Sequence, residues 1–337
     1  MTSSFNPSLP LGIFDLDPHV QIDPGPPLRI RCFVQGCEHW LIPPTRGRKG
    51  EVCPAHGIMC SRSPTYIYKD VRNNIIVAKD LLANRIVGHP FKVESWRFGN
   101  ERGEDALTFN VFRSFQEAGC LNLIARVITG LEDEAEPRLF LWGLELTDDS
   151  LTPWDLLIAA RDRFERRLPV NRPKTESDIG LLLGGRYLIL IEAKFTSPNT
   201  FYTNGLRRDA QSLTKDELIN IYSDLTLHYL DRERAIAADR VYYQLWRNTV
   251  FGEYMANLAG DGTQGFFTNL TRRSCENDSF QHFAQMIRPE FAGRITHIFW
   301  EDLLPLAGLS GGRLNNLREY LLTKTANLGP AFNFGLW

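Results

Sequence analysis

The chain has 337 residues, with 38 Lys and Arg against 40 Asp and Glu, a formal charge of -2 and 43% hydrophobic residues. That length accommodates one large domain or two smaller ones with real cores, and the balance excludes a disordered tail, a collagen-like chain and a polybasic nucleic-acid coat. No apolar run approaches the ~18 to 20 residues of a membrane helix.

The first residues, Met1 to Pro7, lack a basic segment followed by an apolar one, so no secretory signal is read and the expected address is the cytoplasm. Pro24, Pro26 and Pro27 punctuate an aperiodic stretch, read as an extended arm over residues 1–30. Residues 31–68 hold four of the six cysteines around a Pro/Gly/basic loop. In a reducing compartment this crowding favours a metal over disulfides. Cys32-x4-Cys37 and Cys53-x2-His56 are spaced as two knuckles on one tetrahedral Zn²⁺, and Gly57 allows the tight turn of the second. The expected ligands are Cys32, Cys37, Cys53 and His56, with Cys60 as an alternative to His56 and His39 as a spare. Four protein ligands leave no open position, so the ion is read as structural, supplying what burial cannot in a loop-rich module. Arg46, Arg48 and Lys49 between the knuckles are either solvated or able to meet phosphate, while the isolated Cys120 and Cys275 read as core residues.

From Gly103 the pattern turns helical: Leu107, Val111, Phe112, Phe115 and Ala118 share a face, Gly119 stops the run, and Glu104 stands in the first turn. A second helix is predicted from Pro153 to about Arg167, with Arg161, Arg163, Arg166 and Arg167 on its outer face. Ile179, Leu181 and Leu183, then Gly184-Gly185, then Tyr187 to Ile191, read as a β-hairpin whose second strand is buried on both faces. A charged helical insertion over residues 200–238 follows, then a helix from about Asp239 to Leu258 and a strand at Gly265 to Leu270. Helical residues 278–287, a strand at Ile295 to Trp300 and a terminal helical region complete an α/β domain over residues 69–337. Tyr242, Tyr243, Trp246 and Tyr254 lie at helical spacings and read as core, and Arg207-Arg208 and Arg272-Arg273 as residues that would border a groove for DNA.

One constellation carries chemistry. Asp178 begins the first hairpin strand and Glu192-Ala193-Lys194 ends the second, so folding at the glycine pair returns both carboxylates toward one point. Glu192 and Lys194 face the same side of the strand and Ala193 the other. Three charges at the end of an apolar strand cost several kcal/mol in desolvation unless compensated, and Mg²⁺, with its preference for oxygen ligands, compensates directly.

The Asp178 … Glu192-Ala193-Lys194 pattern resembles the active site of the PD-(D/E)XK, or restriction-endonuclease-like, nuclease superfamily. The two knuckles, Gly103-Glu104-Asp105, Pro153-Trp154-Asp155 and Ile191 to Phe195 are similar to a bacterial branch with a leading zinc module. Ser177 stands where many members have Pro, and Glu176 beside it leaves open which carboxylate faces the metal. The resemblance implies a mixed central sheet flanked by helices, and a Mg²⁺ (or Mn²⁺) held by Asp178 and Glu192 with help from Glu104. It also implies that Lys194 acts on the attacking water and that Gln244 orients substrate or water. A nuclease acting on DNA, in restriction or anti-phage defence, follows as an expectation, with a homodimer or a defence partner subunit. RNA as substrate, and a non-catalytic nucleic-acid-binding or assembly subunit that keeps the fold, remain open at this point.

Overall fold

The computed structural model describes residues 20–334 except 48, 62–64, 90–94, 148–149, 167, 169–175, 205–212, 276–277, 327–328 and 333. Two compact units divide the chain: Met1–Ala118 together with Ala307–Trp337, and Gly119–Leu306.

In the first unit, Ile22–Asp23, Arg29–Arg31 and Trp40–Leu41 form a small antiparallel sheet, and Ile58–Cys60 pairs with Tyr66–Tyr68. The described end of the expected arm is therefore built into a sheet, and its first residues lie outside the described ones. Ile30, Phe33, Leu41, Ile58, Tyr66 and Tyr68 bury together with Cys32, Cys37, Cys53 and Cys60, so the segment has more of a core than its sequence suggests. Helix α1 (Glu104–Glu117) opens after Gly103, where a Cβ would come within 2.1 Å of the Arg97 carbonyl oxygen. Gly119, at φ +60°, ends the run by taking the left-handed backbone that other residues avoid.

The second unit opens with helix α2 (Leu121–Thr129) and is organised by a seven-stranded mixed sheet. In chain order its strands are β1 (Arg138–Leu141), β2 (Leu144–Leu146), β3 (Leu151–Pro153), β4 (Ile179–Leu183), β5 (Tyr187–Ala193), β6 (Gln264–Thr271) and β7 (Ile295–Phe299), and in space they run β7-β6-β5-β4-β1-β2-β3. Strand β5 pairs in parallel with β6 and antiparallel with β4, and every one of its residues is buried. That dual pairing explains its unbroken apolar run, since neither face meets water.

Helices α3 (Asp155–Phe164) and α6 (Tyr243–Leu258) cover one face, where Leu157, Phe164, Trp246, Val250 and Phe251 pack with Leu182, Leu188, Leu190 and Phe267. Two short helices, α4 (Lys215–Ile221) and α5 (Arg232–Ala237), stand in the stretch read as a helical insertion.

Two boundaries differ from the sequence reading. Pro153 ends the edge strand β3 rather than opening α3, a place a residue without an N–H tolerates, and Trp154 takes the N-cap position. Helix α6 starts at Tyr243 because Val241–Tyr242 first pairs with Phe201–Tyr202. Strands β1, β2 and β3 carried no clear signal, being only three or four residues long.

Candidate functional site

The site grows from the β4–β5 hairpin. Arg186 N–H donates to the Leu183 carbonyl at 3.0 Å across the turn, where Gly185 takes φ +72°. This sets the register Tyr187↔Leu183 through Ile191↔Ile179. One step further along, Asp178 and Glu192 come together at the end of β5, and Asp178 Oδ2 accepts the Ala193 backbone N–H at 2.9 Å. Asp178 is half-buried, whereas Glu192 and Lys194 are buried. Strand alternation puts Glu192 and Lys194 on the face covered by α6, the face that also holds Leu188 and Leu190.

Glu192 is held from three directions. Lys194 Nζ donates to its Oε1 at 2.5 Å, Gln244 Nε2 donates to the same oxygen, and Asn248 Nδ2 donates to Oε2 at 2.5 Å. A buried carboxylate costs several kcal/mol unless its lone pairs are satisfied, and these donors satisfy them. Lys194 is fixed at its backbone as well, its N–H donating to the Leu270 carbonyl at 2.8 Å and its C=O accepting from Trp300 Nε1 at 3.1 Å.

Of the residues singled out in the sequence, Asp178, Glu192, Lys194 and Gln244 gather in the second unit. Glu104 stands half-buried at the start of α1, in the first unit. Glu176 is half-buried, two residues before Asp178. Asn248 was not anticipated. Its only sequence signal is its spacing of four residues from Gln244, which stacks the two amides on one side of α6. Arg247, also buried, donates through Nε to Asn248 Oδ1 at 3.2 Å, and its guanidinium lies 4.8 Å from the Tyr243 ring centre.

The second cluster lies in the first unit. Cys32, Cys37, Cys53 and His56 each offer a ligand atom, all within 4.8 Å of one another, and could hold a metal ion. Cys53 Sγ stands 3.4 Å and Cys32 Sγ 3.5 Å from His56 Nδ1, and Cys37 Sγ 3.8 Å from Cys53 Sγ. The Cys53 carbonyl accepts the N–H groups of His56 and Gly57, and Gly57 at φ +64° completes the knuckle. Three thiols and an imidazole are a donor set compatible with zinc. Cys60 stands outside this group, donating to the Ser61 carbonyl at 3.2 Å. His39 is exposed.

The basic groups differ among themselves, Arg46, Lys49 and Arg166 being exposed. Arg161 is buried within α3, Arg163 is bound by Asp224 at 2.5 Å, and Arg273 is paired with Asp302. Arg48, Arg167, Arg207 and Arg208 lie outside the described residues. Among the described residues no helix is long and apolar enough to cross a membrane.

A family model described as Restriction Endonuclease associating with ARP matches residues 93–324, a span that takes in the Asp178, Glu192 and Lys194 cluster and leaves the Cys/His cluster ahead of it. No curated protein and no solved structure matches the chain.

Proposed function

This chain belongs to the restriction endonuclease associating with ARP family, and on that premise we propose that it is a Mg²⁺-dependent (or Mn²⁺-dependent) endonuclease of restriction-endonuclease-like fold that hydrolyses phosphodiester bonds in DNA. The observation that carries this reading is the convergence of Asp178, Glu192 and Lys194 at the end of one buried strand. Two carboxylates at the end of paired strands offer the oxygen ligands that a hard divalent cation needs. When bound there, the cation supplies a Lewis acid and a counter-charge for the phosphate.

The remaining work falls to the chain itself. Asp178, its Oδ2 tied to the Ala193 N–H, would be one carboxylate ligand of the cation. Glu192 offers Oε1 once Lys194 and Gln244 turn away from it. Lys194 then donates to the attacking water or to the non-bridging phosphate oxygen, where it stabilises the negative charge that develops during in-line displacement. Gln244 orients the same water or the substrate. In this reading Cys32, Cys37, Cys53 and His56 hold a structural Zn²⁺. Host defence, by restriction or another anti-phage action, is the biological role that fits the family.

The test is cleavage of plasmid, linear single-stranded DNA and RNA with Mg²⁺, with Mn²⁺ and with EDTA. Metal-dependent cutting of DNA is expected. In the Lys194→Ala variant cleavage should fall by about 10²- to 10³-fold while DNA binding and the circular-dichroism melt persist. A variant that cuts as well as wild type would remove Lys194 from the mechanism, and cutting that is indifferent to EDTA would remove the metal.

A further inference from the structure

We infer that Asn248 is a positioning residue that pins one oxygen of Glu192, so that this carboxylate meets the catalytic cation through its other oxygen alone; the inference rests on the metal-site reading above. The two oxygens of Glu192 are treated differently. Oε1 accepts from the buried Lys194 and from the half-buried Gln244, the two side chains that the proposed mechanism turns toward water or substrate. Oε2 accepts at 2.5 Å from Asn248, whose side chain is fully buried in the middle of α6. Asn248 is in turn oriented, because Arg247 Nε donates to its Oδ1 and thereby keeps the NH₂ of the amide toward Glu192. A flipped amide would set a carbonyl against a carboxylate and a guanidinium against an NH₂, two repulsive contacts in place of two hydrogen bonds.

The consequence concerns which cation is favoured. Mg²⁺ and Mn²⁺ accept a single oxygen from each carboxylate in a compact octahedral shell, whereas Ca²⁺ is larger and readily takes both oxygens of one carboxylate. Holding Oε2 on Asn248 denies Ca²⁺ that second oxygen. Asn248 thus acts through Glu192 on metal choice and makes no contact with substrate in this scheme.

The experiment is a titration of the full-length protein with Mn²⁺ read by electron paramagnetic resonance, followed by competition with Ca²⁺, for wild type, Asn248→Leu and Asn248→Ala. The Leu variant keeps the branched shape of Asn248 without its donor, and the Ala variant carries the test if the Leu variant fails to fold. Loss of the pin should weaken Mn²⁺ binding at least threefold while Ca²⁺ binding holds or improves, so that the Mn²⁺/Ca²⁺ affinity ratio falls. An unchanged ratio, whether both affinities persist or both weaken alike, overturns the role of Asn248 and leaves it a packing residue. Absence of Mn²⁺ binding at this site in the wild-type protein, checked with Asp178→Asn, overturns the metal-site reading itself.

Discussion

At the scale of single residues, the buried charges divide into those that other groups hold in place and those that the surroundings oppose. Glu192 belongs to the first kind, with three donors on two oxygens. Lys324 belongs to the second: it is fully buried in the first unit, and burial pulls its pKa down from 10.5 to about 8, against the opposing pull of Glu101. The unfolded chain takes up this proton near 10.5 and the folded chain only near 8, so between these values the unfolded state binds more protons and stability rises with pH. Below pH 8 the penalty is fully present. Denaturant melts of wild type and Lys324→Met at pH 7.5, 9 and 10.5 should show the wild type gaining on the variant by up to about 3 kcal/mol across this range. Parallel pH profiles would mean that Lys324 keeps its ordinary pKa in the folded protein. Gln244 was legible in the sequence through the family pattern, whereas Asn248 was not, since an Asn in a buried helix ordinarily signals only a satisfied polar group.

At the scale of elements, the hairpin β4–β5 is the part of the fold that the sequence announces most clearly. Its apolar run, its glycine pair and its terminal Glu-Ala-Lys fix the strand direction and the faces together. The strands β1 to β3 were hidden because three residues carry no period. Helix α3 began later than expected for a reason visible on β4: the Trp154 ring stacks on Phe140 at 4.0 Å between centres and lies over Gly180, where a Cβ would come within 2.3 Å of the indole. Gly180→Ala should therefore destabilise the protein by about 1 to 3 kcal/mol in urea melts, through overpacking of a rigid ring. A neutral result would show that Trp154 can move aside freely. The two knuckles form the other legible element. Elemental analysis should find about one Zn per chain, and Cys53→Ser should lose it and lower the melting temperature. A native protein without metal would refute the zinc assignment.

At the scale of the whole molecule, the charge of -2 conceals internal arrangements more than surface patches. Arginines that cluster in sequence differ in the fold: Arg161 is buried, Arg163 and Arg273 are exposed but paired with Asp224 and Asp302, and Arg272 lies 5.5 Å from the centre of the Phe195 ring just beyond Lys194. Near-neutrality thus remains compatible with an enzyme that visits and leaves nucleic acid, though these arginines do not form a free cationic stripe. The return of Ala307–Trp337 to the unit that contains the first 118 residues was equally invisible in the sequence, because it depends on contacts between distant segments. What the sequence by itself determined is local: the hairpin with its alternating charged end, the four Cys and His positions that could hold a metal ion, and the helix that begins at Glu104. Period, turn residues and ligand spacing act over a few residues, so they can be read one segment at a time. Only the tertiary structure decided that β5 lies between β4 and β6 and that α6 crosses over its end. Those placements bring Asn248 and Arg247 to Glu192 across more than fifty positions of chain, and they follow from the packing of apolar faces that no single segment specifies.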